Sequence, residues 1–268
     1  MSRGHIELVH APEIPEEDFT VPGWPAQPRI TMLSADPLSG ALSGLLRLPV
    51  GYRRPAGLIT AETEFLIVDG SLRVGETMRG FGYYEYAPPR SAHAPWSTET
   101  GATLLFFARD RAPEFVPDAA ANDTAGRIEI DSEAMPWEGS PIPGPSEGLL
   151  HKHLRMVEET GEMTVLVTNI RSYDYPMLEF HDCVEEIYMI EGDIWLGNSG
   201  LMREGSYFWR PPFITHGPFY SDTGALMLVY VPSSLVNHVP KSAASTPEEN
   251  LAAFVAAGGQ RVLQPASA

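Results

Sequence analysis

Two stretches of the chain are versions of one another. Residues 82–108 (GYYEYAPPRSAHAPWSTETGATLLFFA) and 205–231 (GSYFWRPPFITHGPFYSDTGALMLVYV) align without a gap over 27 residues at an offset of 123, and ten positions are identical. The matches include Gly82 with Gly205, Pro88 with Pro211, Pro89 with Pro212, His93 with His216 and Pro95 with Pro218. Upstream, residues 63–74 (TEFLIVDGSLRV) line up with 185–196 (EEIYMIEGDIWL) at an offset of 122, and 39–48 echo 160–169. A repeat that long fixes the architecture before any single element does: two similar domains in tandem. At 268 residues the chain has room for two cores of about 130 residues each.

The repeated unit is β-structured. The chain holds 24 glycines and 25 prolines, residues that break helices and turn corners between strands. The form apolar strand, acidic residue plus glycine, second strand predicts a hairpin in each copy, at Gly70 and at Gly192. The domains are read as residues 1–115 and 146–268, joined by a Pro/Gly-rich connection over 116–145 with a short strand at 127–130. Thr246, Pro247 and Glu249 form a capping trio that opens one short C-terminal helix, closed by Gly258 and Gly259. Its expected place is on the outside of a sheet.

A formal net charge of −17 repels phosphate backbones and anionic lipid, so neither nucleic acid nor a membrane surface is an expected partner. Cys183 is the one cysteine, which excludes an intramolecular disulfide and suits a reducing compartment. The N-terminus has no apolar secretory core and no run of about 18 apolar residues occurs, so a cytoplasmic protein is expected.

Candidate chemistry sits in the second copy. Glu179 and His181 have equal parity and share a face of an extended segment. Glu185 can return to that face four residues on, and His216 follows the turn at Pro211 and Pro212. Two imidazoles and two carboxylates on one inner face suit a divalent ion such as Zn, Fe, Mn or Ni.

These spacings resemble the cupin superfamily, whose motifs are G(X)5HXH(X)3,4E(X)6G and G(X)5PXG(X)2H(X)3N. Glu185 with Gly192 fits the end of the first motif, and Gly205, Pro211 and His216 fit the second. The departures are Glu179 in place of the first histidine, Phe213 in place of a glycine, and Phe219 and Tyr220 near the expected asparagine. The resemblance implies two double-stranded β-helix (jelly-roll) barrels. It also implies one divalent metal ion held by His181, Glu185 and His216, with Glu179 as a fourth ligand or a general base. The pattern looks closest to bicupins related to the cupin domain of the ChrR anti-sigma factor and to acetylacetone dioxygenase. It therefore implies a metal-dependent enzyme on a small organic substrate, with dioxygenase-like chemistry. Decarboxylation, isomerisation and hydrolysis are open to the same barrel, as is a non-catalytic module sensing a metal or metabolite. Dimerisation is implied in the same way.

The first copy has lost this set: Gly57, Ile59 and Thr63 align with Glu179, His181 and Glu185, and His93 alone remains opposite His216. Glu62 and Glu64 flank the vacant position. A supporting role in folding or dimerisation, or an organic ligand, is expected for this copy. In the second copy, Cys183 reads as a small buried thiol and Glu186 as an outer-face residue, a ligand only if the strand slips by one residue. His151, His153, His5, His10 and His238 read as surface or hydrogen-bonded histidines. Among the clustered aromatics, Tyr207, Trp209 and Tyr230 are candidates for the wall of a substrate pocket.

Overall fold

The structure is a computed structural model that describes residues 3–117, 126–139 and 148–259. Of the expected connection at 116–145, residues 118–125 and 140–145 lie outside the described residues. The chain divides into two units, Met1–Gly4 with Val9–Trp137 and His5–Leu8 with Glu138–Ala268. A short N-terminal segment thus belongs to the C-terminal unit.

Each unit is an antiparallel jelly-roll barrel, the fold that the cupin resemblance implied. In the first, a seven-stranded sheet runs Ile128–Asp131, Tyr83–Ala87, Thr63–Gly70, Ala102–Ala108, Leu42–Leu48, Arg29–Ala35 and Glu17–Asp18. Two smaller sheets complete the barrel, and Trp24, Leu46, Phe65, Trp96 and Phe106 are buried within it. In the second unit, the main sheet runs Ile6–His10, Ser206–Arg210, Glu185–Leu196, Ala225–Val231, Glu162–Asn169, Leu149–Val157 and Glu138–Gly139. Tyr173–Tyr175, Leu201–Arg203 and Phe219–Ser221 pair with one another or with the far half of Glu185–Leu196. These strands are rich in the β-branched and aromatic residues that pack well on a pleated surface.

The expected hairpin at Gly192 is not formed. Glu185–Leu196 is one strand of 12 residues, bent where its glycine sits. Its first half pairs with Ser206–Arg210 and Ala225–Val231, and its second half with Leu201–Arg203 and Phe219–Ser221. Gly192 (φ 77°) makes the corner between sheets, and a Cβ there would lie 2.1 Å from the Gly224 carbonyl oxygen. Gly70 repeats this in the first barrel, with φ 75° and a Cβ position 2.3 Å from the Gly101 oxygen. An acidic residue plus glycine marks a hairpin only if the chain reverses; here it marks a strand that changes sheets.

A second repeated conformation lacks glycine in both copies. Phe213, where the motif has glycine, adopts φ 70°, and its counterpart Arg90 adopts φ 64°. The Phe213 N–H donates to the His181 carbonyl at 2.7 Å, and the Arg90 N–H donates to the Ile59 carbonyl at 2.9 Å. The repeat has kept the backbone while changing the residue, at a conformation that opposes a side chain.

The C-terminal helix, Pro247–Ala256, carries the expected capping box between Thr246 and Glu249. It does more than cover a sheet. Asn250, 2% exposed, donates to the Phe213 carbonyl at 2.9 Å and to the Thr215 hydroxyl at 2.8 Å. Phe254 packs on Phe213 and His238, with ring centroids 5.7 and 5.2 Å away.

Candidate metal centre

Three segments of the second barrel converge. Glu179 and Phe180 are extended and tied by backbone bridges, Glu179 to His216 and Phe180 to His238. The Glu179 N–H donates to the His216 carbonyl at 3.0 Å, and the reverse bond is 2.9 Å. His181 therefore lies beside His216, and Glu185 opens the next strand.

The imidazoles face each other. The Nδ1 of His181 lies 3.1 Å from the Val236 carbonyl, and that of His216 lies 2.9 Å from the Ile214 carbonyl. A carbonyl only accepts, so each Nδ1 must carry the proton. Both Nε2 atoms are then bare acceptors, and they stand 3.2 Å apart. Two lone pairs at that distance repel unless a cation lies between or beside them. Burial pushes the His181 pKa below its ordinary value, which makes a proton a poor choice of cation. An ion accepting both lone pairs fits this donor set.

Glu179 completes it. Its Oε2 accepts from the Tyr175 hydroxyl at 2.9 Å and from Asn237 Nδ2 at 2.6 Å. Its Oε1 is left toward the imidazoles, 3.5 Å from His216 Nε2 and 3.9 Å from His181 Nε2. Burial acts to raise the Glu179 pKa, but the neighbouring histidines and the Tyr175 bond outweigh it and hold the carboxyl low. Burial pushes the Tyr175 phenol up to about 12, so it stays a donor. Among the described residues, Glu179, His181 and His216 form a buried group whose ligand atoms lie within 4.8 Å of one another.

Glu185 is shared. Its oxygens lie 3.9 Å from each Nε2, but Oε2 also faces Arg210 Nη1 at 3.5 Å. Arg210 is in turn bound by Glu7, Nε to Oε2 at 3.0 Å and to Oε1 at 3.2 Å. The carboxylate that the sequence marked as a ligand is thus held by a guanidinium, and the one in the altered position joins the histidines.

A cavity of about 170 Å³ opens beside these groups. Its wall is mostly apolar, with Val167, Ile194, Met202, Phe208, Met227 and Val229 among its residues. Tyr207, Trp209 and Tyr230 do not line it, contrary to expectation. Phe208 and Arg210 face the cavity, so their odd-numbered neighbours face away; Met227 and Val229 turn Tyr230 away likewise. Tyr207 donates to Glu186 at 2.7 Å and Tyr230 to Glu162 at 3.3 Å, which also puts Glu186 on the face away from the centre. Cys183 is buried outside the converging group, and burial raises its thiol to about 12. His151, read from sequence as an ordinary histidine, does line the cavity. The signal was its register, since His151 pairs with Val167 and paired residues share a face.

The first barrel replaces this centre with fixed charges. His93 Nδ1 lies 3.2 Å from Glu85, which pairs with Arg127 at 2.9 Å. Glu64 is instead taken up by Tyr84 and Arg109, which donate to it. Arg54, 1% exposed, stacks on Trp96 at 3.6 Å. Arg54 pairs with Trp96 across strands as Tyr175 pairs with Phe219 in the second barrel.

Comparison with known proteins supports the fold. A family profile described as "Domain of unknown function (DUF4437)" matches residues 7–238. No curated protein matches in sequence. Among solved structures, a candidate dioxygenase from Nostoc punctiforme PCC 73102 is similar over 87% of both chains, with 21% identity and a TM-score of 0.80. A variant of Bacillus subtilis oxalate decarboxylase is similar over 87% of this chain and 79% of its own, with 13% identity and a TM-score of 0.55. The protein Ylba from E. coli is similar over 84% and 89%, with 13% identity and a TM-score of 0.58. These are cupin-fold proteins, and at such identities the likeness is one of fold. No helix among the described residues is long and apolar enough to cross a membrane.

Proposed function

The chain belongs to the DUF4437 family, and from its second barrel we propose a divalent-metal-dependent enzyme that acts on a small organic molecule by dioxygenase-like chemistry. The observation that carries this is the pair of bare Nε2 atoms, 3.2 Å apart, with a carboxylate beside them. Two histidines and one carboxylate are the donor set of non-haem iron oxygenases, which leave positions on the ion for substrate and oxygen. A divalent ion there supplies Lewis acidity or redox chemistry. Glu179, His181 and His216 would hold it.

The protein's own groups do the rest. Tyr175 and Asn237 fix which Glu179 oxygen faces the imidazoles. Val236 and Ile214 fix the tautomer of each ring. Arg210 holds Glu185 next to the centre, where its carboxylate can take a proton from a substrate or serve as a fourth ligand. The apolar wall excludes water and turns a small molecule toward the ligands. An open cavity beside the centre favours an enzyme over a closed structural site.

The test is metal content of protein purified without a histidine tag, for wild type and His216→Ala. One equivalent of ion, lost in the variant, supports the reading; iron then directs oxygen-uptake assays with small diketones and phenols. Zinc would shift the reading to hydrolysis or sensing. A wild type that arrives without metal and takes up none overturns it.

A further inference from the structure

The polar groups in the cavity wall are almost all committed. The Tyr175 hydroxyl and the Asn237 amide donate to Glu179, and His181 Nδ1 faces the Val236 carbonyl. Arg210 is held by Glu7 and Glu185, and Tyr173 has a partner of its own. Besides Glu185 Oε2, whose partner is the Arg210 guanidinium at 3.5 Å and not a hydrogen bond, His151 is the exception. It lines the cavity and its imidazole makes no hydrogen bond among the described residues; its Nδ1 is shut away, which leaves Nε2 as the ring nitrogen a ligand can reach. The strand Leu149–Val157 aims it inward through pairing with Val167, and its ring lies near-parallel to that of His153, centroids 6.1 Å apart. A polar ring nitrogen left idle in a mostly apolar wall is what a ligand group satisfies.

We propose that His151 is a specificity-determining residue of this cavity, hydrogen-bonding an uncharged polar group at the end of a small, otherwise apolar substrate. Oxygen donors elsewhere on that substrate meet the metal centre, so the inference rests on the metal reading above. The size follows from the volume, since 170 Å³ is comparable with cavities of about 150 Å³ that hold a benzene-sized molecule. The charge follows from the wall, whose one cationic side chain, Arg210, is already neutralised by carboxylates. Burial keeps the His151 imidazole below its ordinary pKa, so it is neutral and can donate or accept.

The experiment uses zinc-loaded full-length protein, zinc being redox-inert, and two probes that differ only at the remote end. These are 4-methylcatechol and 4-(hydroxymethyl)catechol, titrated calorimetrically into wild type, His151→Phe and His151→Gln. Wild type should bind the hydroxymethyl compound about three- to tenfold more tightly, the usual worth of one hydrogen bond. His151→Phe should abolish that preference, and His151→Gln should keep most of it, with zinc content unchanged in both. An equal affinity of wild type for the two probes overturns the inference, as does a preference that survives in His151→Phe. Zinc-loaded protein that binds neither catechol refutes the substrate class and leaves the metal reading intact. Wild type that fails to hold zinc refutes both.

Discussion

Glu7 and Arg210 are joined across 203 positions of sequence, Nε to Oε2 at 3.0 Å and to Oε1 at 3.2 Å, and Arg210 passes the contact on to Glu185. Burial acts to raise the Glu7 pKa, but the hydrogen bonds and charge of Arg210 outweigh it and hold the carboxyl at about 2. A carboxyl lowered on folding stabilises the fold above its unfolded value of 4.5, and that contribution fades as pH falls from there to about 2. Glu7→Gln should therefore unfold at lower urea at pH 7, by on the order of 2 kcal/mol. The gap from wild type should close between about pH 4.5 and 2. A gap of constant size over that window would show that the ion pair contributes nothing.

Metal should stabilise the protein through the second barrel alone. An ion at 100 times its dissociation constant adds about 2.7 kcal/mol. Calorimetric scans with manganese or zinc, against scans with a chelator, should show that gain in wild type. His216→Ala should show none. Equal gains in both proteins would place the ion somewhere other than beside His181.

The left-handed positions should respond in opposite senses to glycine. Arg90 is exposed, so Arg90→Gly relieves its φ of 64° and should raise stability by up to about 1 kcal/mol. Phe213 is 5% exposed and packs on Phe180 and Phe254. Phe213→Gly relieves the same strain but empties a packed site, and should lose about 2–3 kcal/mol net. Urea unfolding of the two variants decides it; a stabilised Phe213→Gly would mean that strain outweighs packing there.

The C-terminal helix should act on metal affinity without touching the ion. Asn250 holds the Phe213 carbonyl and the Thr215 hydroxyl, one to three residues before His216. Asn250→Leu should weaken zinc binding about tenfold in a chelator competition, the scale of outer contacts to metal ligands. Secondary structure by circular dichroism should persist. Unchanged affinity would reduce the helix to a cover.

The barrel pair was legible because a 27-residue repeat survives in sequence, and the pairing of Glu179 with His181 because an extended segment alternates. The bend at Gly192 was not, since a sheet-changing corner and a reversing turn use the same residues. The roles of Glu179 and Glu185 were hidden because Arg210 and Asn237, which commit them, carry no motif. Composition alone does not place Tyr207, Trp209 and Tyr230, which parity against Phe208 and Val229 turns away from the cavity. The place of His151 is not legible in sequence, because its strand pairing, and not its neighbours in sequence, aims it inward.

Arg54 gives the two halves of this molecule different relations to their surroundings. In the first barrel the positive charge is tethered to the chain and stacked on Trp96, so no chelator can remove it and no shortage can withhold it. In the second, on the reading proposed, the charge must be acquired after synthesis and can be surrendered again. One duplicated scaffold thus yields a self-sufficient half and a half whose maturation depends on what the surrounding medium supplies.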